Sequence, residues 1–146
     1  MSRTVNRKRR SLLCAMLLLA ACSRSDPQAA LDAAVGNLQT ALEKKDVSAA
    51  LALLHPDFAA QQPEDDREWA KRTMTALFLR YQNIRIIALL PKNSLDPLVA
   101  TRALTEAQVT LTGAEGLLPD SARQYRVSLE WRWLDKQWKL IRLQWE

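Results

Sequence analysis

The chain predicts an α+β fold in which N-terminal helices pack on one face of a curved antiparallel sheet of about four strands. A signal peptide that is cleaved precedes it. Three observations carry this reading. Apolar residues recur at helical spacing from Pro27 to about Gln82. From Ile84 onward the period shortens to two, and Pro, Gly and Asp residues punctuate the runs as turns. The expected organisation is a signal peptide over 1–21, a modified cysteine with a short tether over 22–26, and one domain over 27–146.

Residues 1–10 hold Arg3, Arg7, Lys8, Arg9 and Arg10 and no acid, and an apolar run follows from Leu12 to Ala21. A basic head, a short apolar middle and a small-residue exit form the secretory pattern. A spanning helix needs about 20 apolar residues, so this run is too short for a durable span. The exit, Leu19-Ala20-Ala21-Cys22, resembles the bacterial lipoprotein box. That resemblance implies cleavage before Cys22, diacylglycerol on its thiol and an acyl chain on its new amine. Several chains together anchor a protein stably, whereas one does so marginally. Ser23 stands where an Asp would favour inner-membrane retention, so the expected location is the outer membrane, facing the periplasm. Lys8-Arg9-Arg10-Ser11-Leu12-Leu13 resembles a twin-arginine signal, which leaves the export route open.

The first helix opens at Asp26-Pro27, a capping carboxylate followed by Pro at the first helical position. Leu31, Val35, Leu38 and Leu42 form its apolar stripe, and Lys44-Lys45 suit the C-terminal dipole. Asp46 can cap a short second helix through Leu54, ended by Pro56. A third helix is expected from Pro63 to about Gln82, with Glu64, Asp65 and Asp66 in its first turn. Its buried face would be Ala70, Met74, Leu77, Phe78 and Tyr81.

Ile84 to Leu90 reads as a strand closed by Pro91, and Lys92 to Pro97 as a turn. Val99 to Leu111 alternates as a long strand, and Gly113 with Gly116 marks a long loop that could act as a lid. Tyr125, Val127, Leu129, Trp131 and Trp133 alternate with Arg126, Ser128, Glu130 and Arg132, the pattern of a half-buried strand. Asp135-Lys136-Gln137 turns it back into Trp138–Trp145. There Trp138 and Leu140 share one side, while Ile141, Leu143 and Trp145 share the other. This requires a bulge between the two sets or cover on both faces.

Helices followed by strands, the terminal hairpin Trp133-Leu134-Asp135-Lys136-Gln137-Trp138-Lys139-Leu140 and the stretch Leu53-Leu54-His55-Pro56-Asp57-Phe58 together resemble the nuclear-transport-factor-2-like (NTF2-like, cystatin-like or SnoaL-like) superfamily. The resemblance implies a cone-shaped sheet around the third helix, with a pocket at the open end. Members include isomerases, dehydratases, transport adaptors and secretion-system parts, so fold alone does not fix function.

The whole chain carries a formal charge of +5. The signal holds five of the 21 Lys and Arg and none of the 16 Asp and Glu, leaving the mature part neutral. A neutral domain lacks the cation surplus that nucleic-acid binding needs, so no nucleic-acid partner is expected. Cys14 leaves with the signal, Cys22 would be acylated, and His55 is the single histidine. Neither a disulfide nor a Cys/His metal site is expected, and no cofactor is implied.

His55 and Asp57 are the nearest approach to an acid–base pair, although they equally suit a helix end and a turn. Inward positions of the expected strands are Val, Thr, Ala, Leu, Tyr and Trp, none a general base. Catalysis is therefore the less favoured expectation. Trp69, Tyr81, Tyr125, Trp131, Trp133, Trp138 and Trp145 are the candidates for binding a ligand or partner. Trp138 and Trp145 could form an exposed apolar patch, while Tyr81, Tyr125, Thr101 and Thr105 could supply the few polar groups of an apolar pocket. Three functions follow in order of expectation: binding an envelope protein or a second copy of the chain, carrying a small apolar ligand, and isomerase- or hydrolase-like catalysis.

Overall fold

The computed structural model describes residues 26–114 and 121–146. The expected signal peptide, Cys22, the expected tether to Ser25 and the expected lid around Gly116 lie outside the described residues. Three helices and five strands follow in order: α1 (Pro27–Glu43), α2 (Val47–Ala52), β1 (Leu54–Ala59), α3 (Arg67–Arg80), β2 (Asn83–Leu95), β3 (Arg102–Ala114), β4 (Ser121–Leu134) and β5 (Gln137–Trp145). The sheet runs β1-β5-β4-β3-β2, antiparallel from β2 to β5 and parallel between β1 and β5. It is therefore five-stranded and mixed, where four antiparallel strands were expected.

Helix α1 forms as its sequence dictates. The Asp26 carboxylate accepts from Gln28 N–H at 3.0 Å, and Pro27 occupies a position whose N–H needs no partner. Lys45 serves two helix ends: its backbone N–H donates to the Leu42 carbonyl in the last turn of α1 at 3.1 Å. Its ammonium donates to the carbonyls of Phe78 and Tyr81 (3.3 and 3.2 Å), satisfying acceptors at the C-terminus of α3.

Helix α2, capped by Asp46 through Ala49 N–H at 2.9 Å, stops at Ala52 and not at Leu54. Leu54–Ala59 instead joins the sheet beside β5, with Leu54 opposite Leu140. Pro56 is tolerated because β1 is an edge strand, where a missing N–H breaks no ladder. Helix α3 begins at Arg67, later than expected, with Asp66 accepting from Trp69 N–H at 2.9 Å. Asp65 holds the preceding turn by accepting from Gln62 N–H at 3.0 Å.

Only Ala70 of the expected buried face of α3 is buried, and Leu77 is 42% exposed. α3 packs on β1 and α2, whereas α1 packs on β2 and β5. The sheet thus packs mainly against α1, not against the third helix. Leu31, at 0% exposure, is the deepest residue of α1.

Two bulges adjust the strands. β2 continues past Pro91 to Leu95, so Lys92–Leu95 is strand and not turn. The register shift between Leu89 and Lys92 expels Leu90 at φ 47°, while Pro91 keeps the concave side. On β5 the shift falls opposite Glu130 and Trp131 and leaves Ile141 without a partner. That single extra residue returns Leu143 and Trp145 to the face of Trp138 and Leu140. The β4–β5 turn is Asp135-Lys136, both at positive φ (50° and 63°), the two-residue form whose twist matches the strands.

β2 is an edge, and α1 covers it. Gln39 Nε2 donates to the Ile86 carbonyl at 2.9 Å, while Glu43 Oε1 accepts from Ile86 N–H at 2.8 Å. One helical turn thereby occupies both backbone groups that Ile86 would offer a foreign strand.

Gly113 belongs to β3, not to a loop. A Cβ there would stand 2.8 Å from Tyr81 Cδ1, so the glycine admits the tyrosine ring against the strand. Gly113→Val should destabilise the fold by about 1–3 kcal/mol through overpacking, read from urea unfolding.

The β2–β3 turn is held by Asp96, whose carboxylate accepts from the N–H groups of Leu98 (2.8 Å) and Val99 (3.0 Å). These bonds, aided by the charges of Arg102 and Arg132, hold its pKa below the ordinary carboxylate value. A depressed folded pKa gives a contribution that is present above the unfolded value, about 3.9. It is lost as pH falls through the folded value. The Leu98 and Val99 amide resonances should therefore keep their native shifts down to pH about 4 and move only in stronger acid.

Candidate functional site

Between α1, α3 and the concave face of the sheet lies a cavity of ≈ 330 Å³. Helix α1 contributes Val35, Leu38 and Leu42, the remainder of its apolar stripe beyond Leu31. Helix α3 contributes Trp69, Ala70, Thr73 and Met74. From the sheet come Ile86, Ala88, Ala107, Val109, Leu129 and Leu143, with Trp145 near the chain end. The void exists because Ala50, Ala70, Ala88 and Ala107 stand where larger side chains would meet. Leu140 lines it and belongs also to the core cluster with Leu31, Trp131 and Trp138, each no more than 2% exposed.

Among the described residues the walls hold the polar side chains Gln39, Thr73 and Thr105 and the indoles of Trp69 and Trp145, and no titratable group. Gln39 is committed to Ile86, as described. Thr105 Oγ1 accepts from Trp131 Nε1–H at 3.1 Å and donates to Asn93 Oδ1 at 2.8 Å, while Asn93 Nδ2 donates to Asp32 at 2.8 Å. This chain ties β4, β3, β2 and α1 together and uses the polarity of Thr105 internally. A molecule in the cavity therefore meets hydrocarbon walls for nearly its whole surface.

Of the sequence-derived candidates, Trp69 and Trp145 line this cavity, as does Thr105. Gln61 fixes Trp145 by donating to its carbonyl at 2.6 Å and accepting from its N–H at 3.3 Å. Trp131 and Trp138 are core residues. Trp138 donates from Nε1 to the Pro27 carbonyl at 3.0 Å and is 2% exposed, so it forms no exposed patch with Trp145. Trp133 is half-buried and meets Trp138 edge-on, centroids 5.1 Å apart. Tyr81 sits against Gly113, with the Arg80 guanidinium 5.3 Å from its ring centre. Tyr125 borders a shallow polar depression beside the Arg126–Glu146 pair, away from the apolar walls. Thr101 lies in the β2–β3 turn, where its carbonyl accepts from Trp133 N–H at 2.9 Å.

His55 and Asp57 fall on β1, outside the cavity lining. His55 Nδ1 accepts from Asp57 N–H at 3.0 Å, and the Asp57 carboxylate, 85% exposed, stands 3.9 Å away. The pair closes a turn on the edge strand. Among the described residues no three His, Cys, Asp or Glu side chains gather as metal ligands. Met74 and the alanines are lining residues that sequence reading assigned to packing or passed over, because a cavity wall and a core carry the same periodicity.

No protein-family model matches the chain, and no curated protein matches it. Solved structures do. Bd1075 of Bdellovibrio bacteriovorus aligns with TM-score 0.68 at 15% identity over 80% of this chain, which spans 40% of that protein. An NTF2-like protein from Cytophaga hutchinsonii aligns with TM-score 0.66 at 15% identity, covering 82% of this chain and 97% of its own. Hexachlorocyclohexane dehydrochlorinase LinA-type3 from Novosphingobium barchaimii aligns with TM-score 0.64 at 14% identity, over 81% and 84% respectively. Identities this low carry architecture and no activity. On that architecture, helices packed on a five-stranded mixed sheet with a cavity between them, the described domain has the NTF2-like fold.

Proposed function

We propose that the protein is an envelope lipoprotein, acylated at Cys22, whose domain holds a small apolar ligand in the concave cavity. The observation that carries the ligand reading is the lining itself: ≈ 330 Å³ of space walled by aliphatic, aromatic and sulfur-bearing side chains, with Gln39 and Thr105 bonded to the protein's own groups. A cavity of this size and polarity suits an apolar molecule of modest dimensions. Catalysis is not favoured, because His55 and Asp57 lie off the cavity and bond to one another's segment. The anchor reading rests on Leu19-Ala20-Ala21-Cys22 and the basic, then apolar, run before it.

The ligand reading is tested with N-phenyl-1-naphthylamine, an uncharged fluorophore, titrated into the folded protein. Saturable binding at one site with energy transfer from tryptophan is the expected result. Absence of saturable binding by a cooperatively folding sample overturns it. A second reading, self-association or a protein partner, is supported by Ile87 and Leu89, 53% and 49% exposed on the convex face of β2. Sedimentation showing a concentration-dependent dimer that Ile87→Lys abolishes would favour it.

A further inference from the structure

The end of the domain that carries the N-terminus of α1 also carries the turns β2–β3 and β4–β5. Trp138 donates to the Pro27 carbonyl, Gln28 reaches the Asn93 carbonyl at 3.2 Å, and Trp133 N–H donates to Thr101. The β2–β3 turn at this end reads Pro97-Leu98-Val99-Ala100, four apolar residues in succession. Pro97 and Ala100 are exposed and Leu98 is 91% exposed. An isolated surface leucine is ordinary, but three exposed apolar residues gathered at one turn around a half-buried Val99 are normally selected against unless something covers them. Nor is this turn loose, since two backbone bonds from Asp96 fix it with the leucine outward. Beside it Arg102 and Arg132 face each other across β3 and β4 with the Asp96 carboxylate near both, two cations to one anion, a balance that an anionic surface would favour.

From the juxtaposition of this rigid apolar turn, its paired arginines and the chain's entry point, we infer that Pro97–Ala100 seats the domain on the surface of the lipid bilayer. The inference rests on the acylation of Cys22 proposed above. Four peptide units join Cys22 to Asp26, spanning at most about 14 Å when fully extended. An acylated Cys22 thus holds the Pro27 end within that distance of the headgroups. Leu98 enters the interface while the arginines stay among the lipid phosphates.

The test uses the full chain processed in its own envelope, with the mature mass measured for acyl groups. Cys14 departs with the signal and Cys22 is blocked, so Ala100→Cys supplies a single thiol for a nitrobenzoxadiazole probe. Ser48→Cys, exposed at the start of α2 near the other end of α1, is the control. The proteins are placed in vesicles of phosphatidylethanolamine and phosphatidylglycerol, with and without brominated acyl chains. Expected is blue-shifted emission, quenched by bromine, at position 100 and neither effect at 48. Leu98→Asp should abolish both effects at position 100. Acylated protein whose probe at 100 reports water overturns the seating alone. A mature mass without acyl groups overturns the anchor reading and the seating with it.

Discussion

Trp131→Ala should destabilise the fold by about 3–5 kcal/mol, the range for removing a large aromatic from a core that cannot collapse around the loss. Trp131 is 1% exposed, the largest fully buried side chain of the described domain. It sits opposite Leu140 on β5 and Ala103 on β3, so its removal opens a void in the core between them. Its indole N–H also completes the chain through Thr105 and Asn93 to Asp32. Trp131→Phe separates the two contributions. It keeps most of the apolar volume and removes the donor to Thr105, which should cost about 1–2 kcal/mol. Urea unfolding with an unchanged slope is the measurement. A loss below about 1 kcal/mol for the alanine variant would mean that the tryptophan is not packed as described.

Elements held by local rules were legible in the sequence. The Asp26-Pro27 start of α1, the Asp46 cap and the alternation of β4 each depend on residues a few positions apart, and each appears where its chemistry puts it. The β5 puzzle was also legible, as two incompatible faces that one bulged residue reconciles. What could not be read depends on partners far along the chain. Leu54–Ala59 looks like a helix end because Pro56 interrupts it, and only the parallel neighbour β5 makes it a strand. Pro91 looks like a strand terminator, yet a bulge absorbs it and the ladder resumes at Lys92.

The same limit applies to the site. The fate of Trp138 was set by the carbonyl of Pro27, a group with no sequence signature, 111 positions away. Gln39 and Glu43 read as ordinary helix-surface residues, and their closure of the β2 edge at Ile86 is visible only in three dimensions. The cavity was legible only as an expectation carried by resemblance. Ala88 and Ala107 reveal a void only once the walls around them are placed.

Ala107→Leu should stabilise the protein and at the same time abolish its apolar binding, an opposition of signs that a merely structural cavity would not show. Ala107 lines the cavity from β3, opposite Val127 and beside the Leu90–Pro91 bulge. A leucine there projects three further carbons into unfilled space. Each buried methylene is worth about 0.8 kcal/mol, and imperfect fit reduces the gain to about 1–2 kcal/mol in total. The same carbons take volume from any ligand, so affinity for N-phenyl-1-naphthylamine should fall by at least about tenfold, equivalent to 1.4 kcal/mol. Thermal unfolding reads the first effect and fluorescence titration the second. Proteins commonly forgo stability where function requires it, and a void kept open by small side chains at the centre of a fold is one such place. Unchanged affinity in a stabilised Ala107→Leu variant would put the bound probe outside the concave cavity, and the ligand reading would then lose its site.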